Sequence, residues 1–144
     1  MEQQLSLILA DDDPDDRELF VELLARPDVS VKAVTNGKEL LSYLKTLPSV
    51  PDCIFLDLNM PVMAGKDCLT KIRASEKLKN VPVVIYSTSA NKKDIEETFA
   101  LGANLYLVKE SSYSALKRTF EKILQLDWAN YPPHRQAKNF VFKL

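Results

Sequence analysis

Five short runs set the pattern of this chain: LSLILA (5–10), VSVKAV (29–34), the head of CIFLDLNMPVMAG (53–65), VVIYS (83–87) and LYLVK (105–109). Each is too short for a helix, and each is followed by a stretch with helical spacing of its apolar residues. Four of the five are apolar almost throughout, as strands buried on both faces are, and strands of that kind alternating with helices call for a parallel sheet covered on both sides. VSVKAV alternates instead, as a half-exposed strand does. Right-handed crossovers and five strands leave few topologies, so the expected fold is a doubly wound α/β domain of flavodoxin-like order 2-1-3-4-5 with five helices.

The helix boundaries carry their own chemistry. Asp13 is a natural N-cap, Pro14 suits the first helical position, and Asp15 and Asp16 read as exposed charges at the positive helix end, ahead of Leu19, Phe20, Leu23 and Leu24. Asn36-Gly37 turns into a helix bearing Leu40, Leu41 and Leu44, while Cys68, Leu69 and Ile72 line the next. Ile95, Phe99 and Ala100 mark a fourth helix closed by Gly102, and Ser112 caps a fifth whose inward face is Leu116, Phe120, Ile123 and Leu124.

Composition removes several function classes. A net charge of −1 supplies no basic field for nucleic acid. No apolar run approaches the roughly 20 residues that span a bilayer, and MEQQLSLILADDD lacks a basic start and a cleavage site, so a cytoplasmic protein with no membrane partner is expected. His134 is the only histidine, which excludes a multi-histidine metal site, and the three glycines cannot write a Walker loop or a GxGxxG fingerprint. Cys53 and Cys68 lack CxxC spacing and read as reduced, buried thiols.

In open parallel sheets ligands bind beyond the carboxyl ends of the strands. There the sequence places Asp11 and Asp12 after strand 1, Asp57 after strand 3, Ser87 and Thr88 at strand 4, and Lys109 at strand 5. Converging carboxylates repel one another unless a cation shares the site, and an all-oxygen donor set points to Mg²⁺, with Mn²⁺ able to substitute. Carboxylates, a divalent cation, a lysine and a hydroxyl suit a phosphoryl group bonded to one carboxylate. Asp57 is then the nucleophile, and Lys109 and the metal offset charge on the transferred oxygens.

LILADDDPDD, IFLDLNMPVMAG, VVIYSTSA and GANLYLVK, in this order and spacing, resemble the receiver domains of two-component response regulators over about Leu5 to Leu126. The resemblance implies phosphorylation of Asp57 by a sensor histidine kinase or a histidine phosphotransfer protein, followed by hydrolysis. It places Mg²⁺ on Asp12, Asp57 and the main-chain carbonyl of Asn59, with Asp11 acting through water. It further makes Ser87 the switch hydroxyl, Thr88 and Lys109 stabilisers of the phosphoryl group, and Tyr106 the aromatic that follows Ser87. The resemblance implies a self-modifying switch with an unidentified downstream protein, not a turnover enzyme.

Two features depart from that family pattern. Glu110 stands where a proline is usual, so a trans Lys109–Glu110 bond or stored strain is expected, since a cis bond without proline costs about 3 kcal/mol. Residues 127–144 form an aromatic-rich extension beyond a receiver spanning 1–126; Trp128 and Tyr131 are expected to pack on the domain. The ending NFVFKL reads as a short strand able to pair with another chain, hence a possible homodimer, with Pro132-Pro133 as spacer. A haloacid-dehalogenase-type phosphatase also uses an aspartyl nucleophile with Mg²⁺, but its pattern has a second acid two positions on, where this chain has Asn59. A binding scaffold that is never phosphorylated is the other alternative, with Glu110 its only support.

Overall fold

A computed structural model describes residues 4–128 and 137–143. Five parallel strands run in the order β2-β1-β3-β4-β5. They are β1 (Leu5–Ala10), β2 (Val29–Val34), β3 (Cys53–Leu56), β4 (Val83–Ser87) and β5 (Leu105–Val108). Between and after them come α1 (Pro14–Leu24), α2 (Gly37–Thr46), α3 (Gly65–Ala74), α4 (Lys92–Ala100) and α5 (Tyr113–Leu124), the expected doubly wound arrangement. Among the described residues no helix is long and apolar enough to cross a membrane.

The period of two along each strand divides the core. Ile8, Ala10, Ile54, Leu56, Val83, Ile85 and Tyr106 face one layer with Leu40, Leu44, Cys68, Leu69 and Ile72 of α2 and α3. Their neighbours Leu7, Leu9, Cys53, Phe55, Val84, Tyr86, Leu105 and Leu107 face the other, against Phe20 and Leu24 of α1 and Phe120 and Ile123 of α5. Phe20 anchors this second layer, meeting Phe55 edge-on at 4.9 Å and Phe120 at 5.5 Å. β1, β3 and β4 are buried on both faces, whereas the edge strand β2 alternates, as its sequence implies.

Side-chain caps fix where α1, α2, α4 and α5 begin, whereas α3 starts after Ala64 without one. The Asp13 carboxylate accepts from the amides of Asp15 and Asp16, Asn36 from Glu39, Asn91 from Asp94, and Ser112 from Ala115. Gly102 closes α4 at φ 101°, a left-handed geometry that favours glycine. The α4 stripe differs from expectation: Ala100 is exposed, Ile95 and Phe99 are half-buried, and the buried residue is Thr98, whose hydroxyl donates to the Asp94 carbonyl at 2.7 Å. A side-chain bond back to the helix lets this polar residue take a core position that apolar spacing does not reveal.

The C-terminal segment gives the main correction. The strand-like ending expected to pair with another chain pairs instead within its own: Val141 forms a parallel bridge with Tyr106 at the free edge of β5. The Tyr106 amide donates to the Phe140 carbonyl and the Phe142 amide to the Tyr106 carbonyl, both at 2.9 Å. Phe140 is 2% exposed and packs edge-on to Phe99 and Tyr106, at 5.2 and 6.0 Å. An unpaired apolar edge invites strand addition, and a nearby segment of the same chain supplies it without the entropy of association. Trp128 is buried, its indole N–H donating to the Ile123 carbonyl at 3.2 Å; Tyr131 and the Pro132-Pro133 pair lie outside the described residues.

Candidate phosphoryl-acceptor site

β1 and β3 are adjacent and in register through Ala10 and Leu56, so Asp11 and Asp57 emerge side by side one residue beyond the paired ends. Their backbones are held by the last rungs: the Asp11 amide donates to the Val34 carbonyl and the Asp57 amide to the Ala10 carbonyl, each at 3.0 Å. Lys109 follows β5, its own amide bonded to the Ser87 carbonyl at 2.8 Å. Its ammonium reaches across the rim to lie 2.8 Å from Asp11 Oδ2 and 3.7 Å from Asp57 Oδ2. The Lys109–Glu110 bond is trans, with no cis peptide among the described residues.

Burial governs the electrostatics. Desolvation raises the Asp57 pKa to about 6, the Asp11 and Asp12 charges adding to it and Lys109 opposing it. Desolvation likewise raises Asp11, against the pull of Lys109. For Lys109 burial works the other way, but Asp11 and Asp16 outweigh it and hold the ammonium above its ordinary range. The site is thus short of positive charge, with its two buried acids carrying one close cation between them.

One oxygen each from Asp11, Asp12 and Asp57 falls within 4.8 Å of the others. Asp11 Oδ2 is buried and receives no hydrogen bond; its contact with Lys109 is an ion pair out of hydrogen-bond line. A buried oxygen with open lone pairs, in a pocket of oxygen donors alone, fits a hard divalent cation. Asp12 and Asn59 are exposed. Ser87 is fully buried and its hydroxyl oxygen accepts from the Ser89 amide at 3.2 Å, while Thr88 beside it is exposed.

Several participants carry no sequence signal of their own. Asp16, read as a solvated first-turn charge, accepts a hydrogen bond from Lys109 at 2.8 Å. Lys66, at the start of α3, bridges to Asp94 and Glu97 of α4 at 2.7 and 2.6 Å. Asp94 also accepts from the Ser89 hydroxyl at 2.7 Å, and the Ser89 carbonyl accepts from the Tyr106 hydroxyl at 2.8 Å. The start of α3 is thereby connected to Tyr106 through side chains 28 and 17 residues apart in sequence. Gly65 packs against the Asp57 carbonyl and Leu58 so closely that no Cβ fits, which lets α3 start directly under the acceptor.

A family model for the response regulator receiver domain matches residues 7–121. The chain belongs to the response regulator receiver family. A two-component response regulator of rice, ORR11, is 35% identical over 118 residues, 82% of this chain and 80% of that protein. Chemotaxis protein CheY-3 of Vibrio cholerae is 36% identical over 94 residues, 62% of this chain and 72% of its own. Among solved structures, the phosphorylated cyanobacterial phytochrome response regulator RcpA superposes with a TM-score of 0.81 at 32% identity, covering 91% of this chain and 99% of its own. The Mn²⁺-bound response regulator Rcp1 does so with a TM-score of 0.73 at 25% identity, over 91% and 99%. Membership of the receiver family is consistent with a part in two-component signalling, and the Asp11, Asp12 and Asp57 cluster matches the acidic pocket at which receiver domains bind Mg²⁺ or Mn²⁺. Cys53 and Cys68 are free and buried, as their spacing implies.

Proposed function

We propose that this receiver accepts a phosphoryl group on Asp57 from the phosphohistidine of a sensor kinase or histidine phosphotransfer protein. The observation that carries the proposal is the buried pairing of Asp57 and Asp11 around Lys109, 3.7 and 2.8 Å from its ammonium. The Asp57 carboxylate attacks phosphorus, the P–N bond breaks, and the departing imidazole keeps the electron pair and takes up a proton. Water later attacks the phosphorus of the acyl phosphate, releasing inorganic phosphate and restoring the carboxylate.

Asp12, Asp57 and the Asn59 carbonyl would hold Mg²⁺, with Asp11 acting through water, and the ion supplies positive charge for the transferred oxygens. Lys109 supplies the rest from the opposite strand, and the Ser87 and Thr88 hydroxyls donate to the new phosphate. Phosphorylation adds about one negative charge to the pocket at neutral pH. Ser87 moving to meet that charge would disturb the Ser89 backbone it already holds, and with it the hydroxyl bond of Tyr106. That movement is the proposed switch, read by a downstream protein in the cytoplasm, with residues 1–126 as receiver and 127–144 as an extension.

Intact-protein mass after incubation with acetyl phosphate tests this. Wild type with Mg²⁺ should gain about 80 Da, one phosphoryl group, and Asp57→Asn should gain nothing. No adduct on folded wild type would leave the scaffold alternative.

A further inference from the structure

Lys109 is 9% exposed, and its in-line hydrogen bond goes to Asp16 Oδ2 at 2.8 Å. Asp57 Oδ2 is 3.7 Å away, beyond hydrogen-bond reach. Asp16 is firmly placed for this. Its amide and that of Asp15 are capped by Asp13, and Arg17 Nη1 donates to the Asp11 carbonyl at 2.9 Å, tying the first turn of α1 to the end of β1. The Tyr86 ring lies 5.3 Å from the ammonium on another side. Asp11 Oδ2 is as near the ammonium as Asp16, at 2.8 Å, so the lysine rests among Asp11, Asp16 and the Tyr86 ring, and the acceptor carboxylate is the most distant of its three acids.

A phosphoryl oxygen arriving on Asp57 needs a lysine N–H within hydrogen-bond distance, so the ammonium must shift toward it, away from its resting geometry. Asp16 opposes this twice: its hydrogen bond resists the shift, and its charge offsets part of what Lys109 offers the transferred group. We propose that Asp16 is a positioning residue that competes with the phosphoryl group for Lys109 and so slows phosphoryl transfer to Asp57. The proposal rests on Asp57 being the acceptor, and it names a brake on that reaction set by the first turn of α1.

The test is the rate of adduct formation with acetyl phosphate and Mg²⁺ in wild type, Asp16→Asn and Asp15→Asn. Asp15 carries the same charge in the same turn but is exposed. Asp16→Asn should phosphorylate about three- to fivefold faster, the size expected from losing one partly exposed ion pair. Asp15→Asn should stay near wild type. The ¹⁵Nζ resonance of Lys109 should shift in Asp16→Asn and hold its position in Asp15→Asn, a signature that a merely structural role for Asp16 would not produce. Asp16→Ser, a smaller neutral side chain, should repeat the acceleration.

An unchanged or slower rate in both Asp16 variants overturns the proposal. So does equal acceleration in Asp15→Asn, which would assign the effect to the general field of the acidic turn. No adduct in any variant, wild type included, would instead overturn Asp57 as acceptor.

Discussion

The rim of the sheet at Asp57 and the edge of the sheet at Tyr106 meet the same problem, unsatisfied polar groups at a strand boundary, in opposite ways. At the edge, Tyr106 exchanges two main-chain hydrogen bonds with residues 140 and 142, and Phe140 fills the space between Phe99 and Tyr106. Among the described residues no buried side-chain oxygen or nitrogen there lacks a partner. At the rim, two buried carboxylates share one close cation, Asp11 Oδ2 lacks a hydrogen bond, and burial raises the Asp57 pKa to about 6. A region closed for stability settles its account locally, whereas a region kept for chemistry holds a deficit that a ligand can fill.

The sharpest attempt to break that comparison removes the closure. Phe140→Ala should cost about 2–4 kcal/mol in urea unfolding, limited by how strongly residues 137–143 dock. The Tyr106 amide, which donates to Phe140, should lose hydrogen-exchange protection, while amides in the centre of β1 keep theirs. Protection retained at Tyr106 would mean that the segment contributes little.

The rim should respond in the other direction, gaining stability when its deficit is met. Mg²⁺ at a hundred times its dissociation constant should stabilise wild type by about 2.7 kcal/mol, and Asp57→Asn should abolish most of that gain. Without metal, Asp57→Asn should itself be more stable than wild type at pH 7, by about 2 kcal/mol. The sign follows from an acid whose pKa rises from 3.8 to about 6 on folding: burial disfavours its charged form. Wild type is then most stable, relative to the variant, below pH about 4 and loses ground as pH climbs through 6. A variant less stable than wild type at neutral pH would show the deficit to be already met by Lys109.

The same contrast marks what was legible in the sequence. Strand identity and the rim residues Asp11, Asp57, Ser87 and Lys109 could be read because run length and a polar residue at the end of a run are local signals, whereas sheet order rested on general crossover rules and on the family resemblance. The Asp13 and Ser112 caps are local too. Asp16 was misjudged because a first-turn acid looks the same whether water or a lysine 93 residues away faces it. The Phe140 seat and the Lys66 bridge from α3 to α4 are likewise consequences of packing angles between elements, which no period encodes. The apolar character of NFVFKL was visible, but which edge it would meet was not.

Val62, in the loop after Asp57, offers the finest test, because there the rim carries strain in its backbone. It has φ 68°, a left-handed conformation that a β-branched residue rarely takes, and it is 75% exposed, so no packing of its own side chain compensates. The loop must nevertheless turn sharply, because Gly65 has to return under the Asp57 carbonyl and its amide bonds the Leu58 carbonyl at 2.9 Å. Val62→Gly removes the Cβ conflict but adds backbone entropy to the unfolded chain, and the two partly cancel. The expected gain is about 0.5–1 kcal/mol in denaturant unfolding at unchanged slope. Edge residues such as Val141, with no positive φ, should lose stability under the same substitution. A loss at Val62 as well would mean that its turn is held without strain, and that the deficit of the rim is confined to charge.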